Sequence, residues 1–361
     1  MKKRPWVVVL LLVLALFVSA CAEEDEPEAG GGGDEPAEQV DFKACQVTDT
    51  GGIDDKSFNQ TAYAGLQQAE EEFGVETAFL ESQTPNDFEP NINALIEQEC
   101  DLIVTVGFLL GDATAKAAEA NPDVNFAIVD VDFFDADKGE DITYENVKEL
   151  TFKTDEAAFL AGYVAAGVSE TGKLGTYGGI NIPPVTIFMN GLEAGMNYYN
   201  EQKGGNVELL GWDAKKQDGL FTGDFENQDK GRNTTESLLD DGADIIMPVA
   251  GPVGLGSAAA VQDRGEGSLI WVDTDGCESA SEFCDLFLTS VMKNMDVAVF
   301  TAIQEALDES FAGGLYTGTL ENEGVALAPF HEFESVVPAE LATEVEELQA
   351  GIIAGEIEVA P

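Results

Sequence analysis

The chain has 361 residues, with 17 Lys and Arg against 69 Asp and Glu, a formal charge of −52. So acidic a surface repels nucleic acid and anionic headgroups, and salt eases its self-repulsion by screening. The roughly 320 residues that follow the N-terminal segments are too many for one small core and suit two lobes.

The first residues divide into three parts. Lys2, Lys3 and Arg4 make a positive start, and Val7 to Val18 is an unbroken apolar run. Such a run has signal-peptide length and falls short of the ~20 residues a membrane span needs. Ser19 and Ala20 then precede Cys21. This pattern resembles the lipobox of bacterial lipoproteins, in which the cysteine is lipidated and becomes the mature N-terminus. An ordinary signal peptide with a chance cysteine, or an uncleaved anchor, is the alternative. Cleavage before Cys21 removes the three basic residues and no acid, taking −52 to −55. Residues 1–20 are therefore expected to be a signal peptide. Residues 21–41 are expected to be a lipidated cysteine followed by an acidic, Gly-rich disordered tether. The tether carries Gly30 to Gly33 and a run of Asp and Glu without apolar periodicity, so it cannot offset its ordering entropy. No later apolar run reaches bilayer length. The expected location is the extracytoplasmic face of the cell membrane, held by lipid.

From Ala44 onward short apolar strands alternate with amphipathic helices. Strands are expected at 44–47, 76–80, 102–106 and 126–129, with helices at about 57–73, 88–98 and 113–120. A second series follows Asn146, with strands at 173–177, 207–212, 245–248 and 269–272. Its helices are expected at 156–168, 188–202, 231–240 and 256–263. A long helix is expected over Val291–Glu309, and a last one near Ala339–Ala350. Alternation of this kind argues for an α/β fold of two halves, each a parallel sheet covered by helices.

Besides Cys21 there are four cysteines, an even number in an exported chain. Cys277 and Cys284 flank a Glu/Ser-rich loop and are expected to pair. Cys45 and Cys100 each start a strand-like run, and those strands would be neighbours, so a Cys45–Cys100 bridge is expected. Four buried free thiols are the alternative. There is no Cys-x-x-Cys, and His331 is the sole histidine, so no metal site is expected.

Ligands of open parallel sheets sit outside the carboxyl ends of the strands. Asp49, Phe108, Asp130, Asp132, Gly251 and Asp273 all fall there. The densest segment is Thr48 to Gln60, at a strand-to-helix turn. Asp54 or Asp55 suits a helix cap. The segment is no phosphate loop, because Thr50 and Asp55 stand where glycines are required. Phe58 and Asn59 are less well explained by capping, and Phe58 fits core packing as well as a ligand wall. The acids at Asp130–Asp132 and Asp273–Asp275 fail the spacing of a calcium loop.

Asp54-Asp55-Lys56-Ser57-Phe58-Asn59-Gln60, Phe159-Leu160-Ala161-Gly162-Tyr163, Val249-Ala250-Gly251, Val272-Asp273-Thr274-Asp275 and Leu288 to Asn294 together resemble the basic membrane protein family of ABC-transporter substrate-binding lipoproteins. Its best-known branch binds purine nucleosides. The resemblance runs from about Cys45 to the C-terminus and implies a type I periplasmic-binding-protein fold. That fold has two doubly wound parallel-sheet lobes joined by a three-strand hinge. Residues 42–150 plus about 277–314 would form the N-terminal lobe, and 151–276 plus about 315–361 the C-terminal lobe. Phe58 and Phe225 would stack on the two faces of a purine, and Asn59 would meet its edge. Asp273 and Lys293 would hold a ribose diol, with Asp49, Asp130 and Gly251 as further contacts. Gly276 departs from the Gln often found in the family, beside the expected Cys277–Cys284 loop. The resemblance implies a monomer that delivers a purine nucleoside to an ABC permease, without a cofactor. A nucleoside hydrolase would need a metal cage or an acid/base pair that the spacing does not supply. A sensory receptor of the same fold is the other alternative.

Overall fold

A computed structural model describes residues 40–135 and 138–359. The expected signal peptide, Cys21 and all but the last two residues of the expected tether lie outside the described residues. The first series is β1 (Lys43–Val47), α1 (Phe58–Phe73), β2 (Glu76–Leu80), α2 (Phe88–Glu97), β3 (Leu102–Val106), α3 (Gly111–Ala120) and β4 (Asn125–Val129). A hairpin, β5 (Phe134–Asp135) and β6 (Glu140–Asp141), leads to β7 (Val147–Phe152). The second series is α4 (Thr154–Val168), β8 (Lys173–Gly178), α5 (Pro183–Lys203) and β9 (Glu208–Leu210), then a hairpin, β10 (Trp212–Asp213) and β11 (Asp218–Gly219). It continues with α6 (Gln228–Asp240), β12 (Ile245–Val249), α7 (Val253–Arg264), β13 (Ser268–Asp273), the one-turn α8 (Gly276–Ser279) and β14 (Phe287–Lys293). The chain ends with α9 (Met295–Leu307), β15 (Gly314–Gly318), β16 (Val325–Leu327) and α10 (Ala339–Ile353).

Two six-stranded sheets result, in the orders β15-β7-β4-β3-β1-β2 and β16-β14-β13-β12-β8-β9. Among the described residues, all pairings within these two sheets are parallel except β14 with β16. Parallel strands covered on both faces must be apolar throughout, and β3, Leu-Ile-Val-Thr-Val, is buried at every residue. Leu102, Val104 and Val106 enter the core that also holds residues of α1 and α9, while Ile103 joins Cys45 and Val47 in the core beneath α2 and α3. Helix α1 stops at Gly74, whose φ of 70° lets its N–H reach the Glu70 carbonyl.

The chain passes between the sheets three times: from β7 into α4, from β14 into α9, and from β15 into β16. Helix α9 packs on α1, and α10 on α4. The crossing segments are bonded to one another. Lys153 N donates to the Gly318 carbonyl (2.8 Å), and Asn294 N to the Gly324 carbonyl (3.0 Å).

Several details differ from expectation, three of which bear on the lobes. The expected helix Val291–Glu309 begins only at Met295, and residues up to Lys293 form β14. Buried between β13 and β16, this strand has apolar residues on both faces, so its pattern lacks strand alternation and merges with the apolar helix that follows. Strand β7 lies where no element was expected. The expected division at 277 and 315 also moves. Cys277 to Lys293 stays with the second sheet, because β14 pairs with β13, and β15 stays with the first, because it pairs with β7.

Both expected disulfides are present, Cys45–Cys100 and Cys277–Cys284, spanning 55 and 7 residues. By loop-closure entropy the longer should contribute about 4 kcal/mol and the shorter about 2 kcal/mol. Urea unfolding of Cys45→Ser/Cys100→Ser and of Cys277→Ser/Cys284→Ser checks this, and the first pair is expected to cost more.

Candidate functional site

The carboxyl ends of β1, β3 and β4 face those of β12, β13 and β14 across a cleft. Its space is about 580 Å³, counting the open mouth. Asp49, Phe58, Asn59, Asp130, Phe225, Gly251, Asp273 and Lys293, all eight residues nominated from the sequence, line it. Asp132, also at the end of β4, is exposed and stands outside it.

The turn from β1 to α1 is built around two carboxylates. Asp55 is the helix cap: its oxygens accept from the backbone N–H of Ser57 (3.0 Å), Asn59 (2.7 Å) and Gln60 (3.1 Å). Asp54 is exposed. Asn59 donates its amide to Asp49 Oδ1 (2.8 Å) and to Asp55 Oδ2 (3.2 Å), so both of its hydrogens are committed to carboxylates. Gly51 N also donates to Asp49 Oδ1 (3.0 Å). Across from Asp49, Gly107 has a φ of 116°, and a Cβ there would stand 3.0 Å from Asp49 Oδ2.

Lys293 is the centre of the cleft. It stands at the end of β14, in the second sheet, and its ammonium donates to both oxygens of Asp130 in the first (2.8 and 2.7 Å). The side chains of Lys293 and Asp130 are 2 % and 8 % exposed. The ammonium also lies 5.1 Å from the ring centre of Phe58 and 5.5 Å from those of Phe152 and Phe188. Rings at that range attract a cation through their negative faces. Asp273 accepts from Ser57 Oγ (2.7 Å), again from the opposite lobe. Asp130 and Asp273 have φ of 67° and 71°. Such left-handed, non-glycine backbone persists where the surroundings over-determine it.

The second lobe supplies most of the apolar wall. Phe225 packs so close to Gly179 that a Cβ there would meet its ring at 2.2 Å. Ile182, Pro184, Val185 and Phe188, around the start of α5, were not nominated, yet they line the cleft. Only their position after β8 could have found them, since their apolar side chains read as core. Asp55 and Phe108 line it too.

The other acid of the Asp273–Asp275 segment, Asp275, is structural. Asp275 accepts from Cys277 N (2.9 Å) and meets His331 Nε2 at 2.7 Å. The sulfur of Cys277, though close to both, is bonded to Cys284 and offers no thiolate to a metal.

Burial dominates the electrostatics. It pushes Asp49, Asp130 and Asp273 above the usual carboxylate range, against the pull of their hydrogen-bond donors and of Lys293. It raises Asp55 from 3.8 to about 7 despite three backbone bonds. Each of these acids holds its proton more tightly folded than unfolded. The folded chain therefore carries the extra protons, and their contribution to stability is lost as pH rises, for Asp55 from near 4 through about 7. Ligand-free melting at about pH 5 and about pH 7.5 checks the sign. The midpoint is expected to be higher at the lower pH, with the difference narrowed in Asp55→Asn. A midpoint that climbs toward pH 7.5 contradicts it.

Known proteins share this architecture. A family profile described as ABC transporter substrate-binding protein, PnrA-like, matches residues 42–360. The chain is 32% identical over 309 residues to basic membrane protein A1 of Borrelia garinii subsp. bavariensis, covering 85% of each chain. It is 30% identical to the ABC transporter nucleoside-binding protein BmpA of Lactococcus lactis subsp. cremoris, over 80% of this chain and 82% of that one. A crystal structure of an ABC-transporter solute-binding protein from Aeropyrum pernix K1 superposes with a TM-score of 0.78 at 29% identity, covering 89% of this chain and 94% of that chain. The chain therefore belongs to the PnrA-like, basic membrane protein family of ABC-transporter substrate-binding proteins.

Proposed function

We propose that this protein binds a purine nucleoside between its lobes and delivers it to an ABC permease, tethered to the membrane by lipid on Cys21. One observation carries the ligand reading: a single cleft gathers two aromatic rings, Phe58 and Phe225, one from each lobe, beside buried carboxylates and one ammonium. A flat, uncharged base suits an aromatic host. The diol of a ribose suits Asp273 as acceptor and Lys293 as donor. Phosphate does not suit the site, because among the described residues lining it Asp49, Asp55, Asp130 and Asp273 outnumber the one cation, Lys293. The Lactococcus relative, named as nucleoside-binding, supports the same reading. The lipid tether rests on the Ser19-Ala20-Cys21 pattern.

Lobes that each supply one wall explain capture. The ligand contacts both walls only when they close, so it favours the closed population. Calorimetry across nucleosides, free bases, sugars and nucleoside monophosphates tests the proposal. Nucleosides are expected to bind at micromolar concentration or tighter, and bases and monophosphates far more weakly. Phe58→Ala should weaken nucleoside binding about 10- to 100-fold through lost stacking, and Asp273→Ala by a similar factor through lost charged hydrogen bonds. Unchanged affinity in both variants, or preference for another solute class, contradicts the proposal.

A further inference from the structure

Two hydrogen bonds join the lobes behind and beside the cleft wall, one of them on the cleft-lining Asp273. Ser57 Oγ, in the turn before α1, donates to Asp273 Oδ2 at 2.7 Å and lies 3.2 Å from the Val272 carbonyl. Next to it, Trp271 Nε1 donates to the Lys56 carbonyl at 3.3 Å. None of Lys56, Ser57 and Trp271 lines the cleft. Ser57 is 0% exposed, Trp271 1% and Asp273 7%. Both bonds run from the turn after β1, in the first lobe, to the last residues of β13, in the second. The Ser57–Asp273 bond is thus sealed from water and the Lys56–Trp271 bond partly so, yet both exist only while the lobes are together.

The backbone on both sides is shaped for this meeting. Lys56 has a φ of 60° and Asp273 a φ of 71°, the left-handed region that side chains disfavour. The left-handed turn at Lys56 leaves its carbonyl as acceptor for Trp271, while the next residue supplies the hydroxyl for Asp273. Asp55 locks the same turn by accepting the N–H groups of Ser57, Asn59 and Gln60. A hydroxyl held on a capped helix start is a rigid donor, and a buried carboxylate is a strong acceptor for it.

We infer that Ser57 is a positioning residue that acts through Asp273. From the opposite lobe it holds one carboxylate oxygen, Oδ2, and leaves Oδ1 for a ligand donor. Together with the Lys56–Trp271 bond it forms a latch that biases the ligand-free protein toward closure. The role toward ligand rests on the nucleoside reading; the latch does not. With the latch in place, closing is partly prepaid by the protein's own bonds, and a bound ligand leaves only after the latch opens. Its effect therefore falls on dissociation more than on association.

The test uses the wild-type chain, Ser57→Ala and Ser57→Thr, with small-angle scattering of ligand-free protein and stopped-flow binding of a nucleoside. Ligand-free wild type is expected to scatter as the closed structure, and Ser57→Ala as a more open one. Nucleoside dissociation from Ser57→Ala should quicken about tenfold, with association changed much less. Ser57→Thr, which keeps the hydroxyl, should restore both. In Ser57→Ala the affinity difference between a nucleoside and its 2′- or 3′-deoxy analogue should shrink, because an unheld Asp273 no longer reads the diol. A merely packing role would leave that difference unchanged.

A ligand-free wild type that scatters as an open form overturns the inference. So does a Ser57→Ala protein with wild-type scattering and wild-type dissociation. If no nucleoside binds wild type while Ser57→Ala still opens the ligand-free protein, the ligand reading fails and the latch stands. If Ser57→Ala does not fold, the ligand-free scattering of wild type decides alone: closed supports the latch, open overturns it.

Discussion

The contact on which the cleft depends is one buried ammonium shared between two lobes. Lys293 belongs to the second sheet, and its closest partner, Asp130, to the first. Removing both ions from water costs several kcal/mol each, and their attraction offsets this only with good geometry and further bonds. The geometry here is a two-oxygen grip, with three phenyl rings around the cation. Breaking the pair inside a closed cleft would strand a charge, whereas opening the lobes returns both ions to water. The pair is therefore a feature of closure rather than of either lobe's own stability.

Charge gives that contact its setting. The chain as a whole is strongly acidic, so both lobes carry negative surfaces that repel each other. Among the described residues lining the cleft, four acids stand beside one cation, and burial keeps each acid partial to a proton. Such a cleft is rich in acceptors and poor in free donors, since the amide of Asn59 is spent on Asp49 and Asp55. It suits a neutral, donor-bearing solute flat enough for its aromatic walls. The fold delivers these groups because two parallel sheets point their carboxyl ends at each other, and loops there can carry polar residues without disturbing the apolar strands behind them.

Much of this was legible in the sequence, for identifiable reasons. Strands such as Leu102–Val106 and Ile245–Val249 are apolar runs bounded by turn residues, so their place and type could be read. Asp49, Asp130 and Asp273 were legible because an acid directly after a buried strand has few structural excuses. Other features were hidden. Strand β14 runs into an equally apolar helix, and nothing short of its pairing with β13 and β16 separates the two. Phe188 sits on an apolar helix face and reads as core. Whether Asp54 or Asp55 would cap α1 depended on backbone geometry. Ser57 and Asp273 lie 216 residues apart in the chain, so their bond has no local pattern at all.

The central claim is that the cleft between the lobes is a trap for a purine nucleoside. A crystal structure of the protein grown with inosine tests it most directly. The claim predicts the base between Phe58 and Phe225 and the ribose hydroxyls within hydrogen-bond reach of Asp273 and Lys293, with the lobes closed. Inosine bound elsewhere on the protein, or a cleft filled by a different solute in its presence, would contradict it.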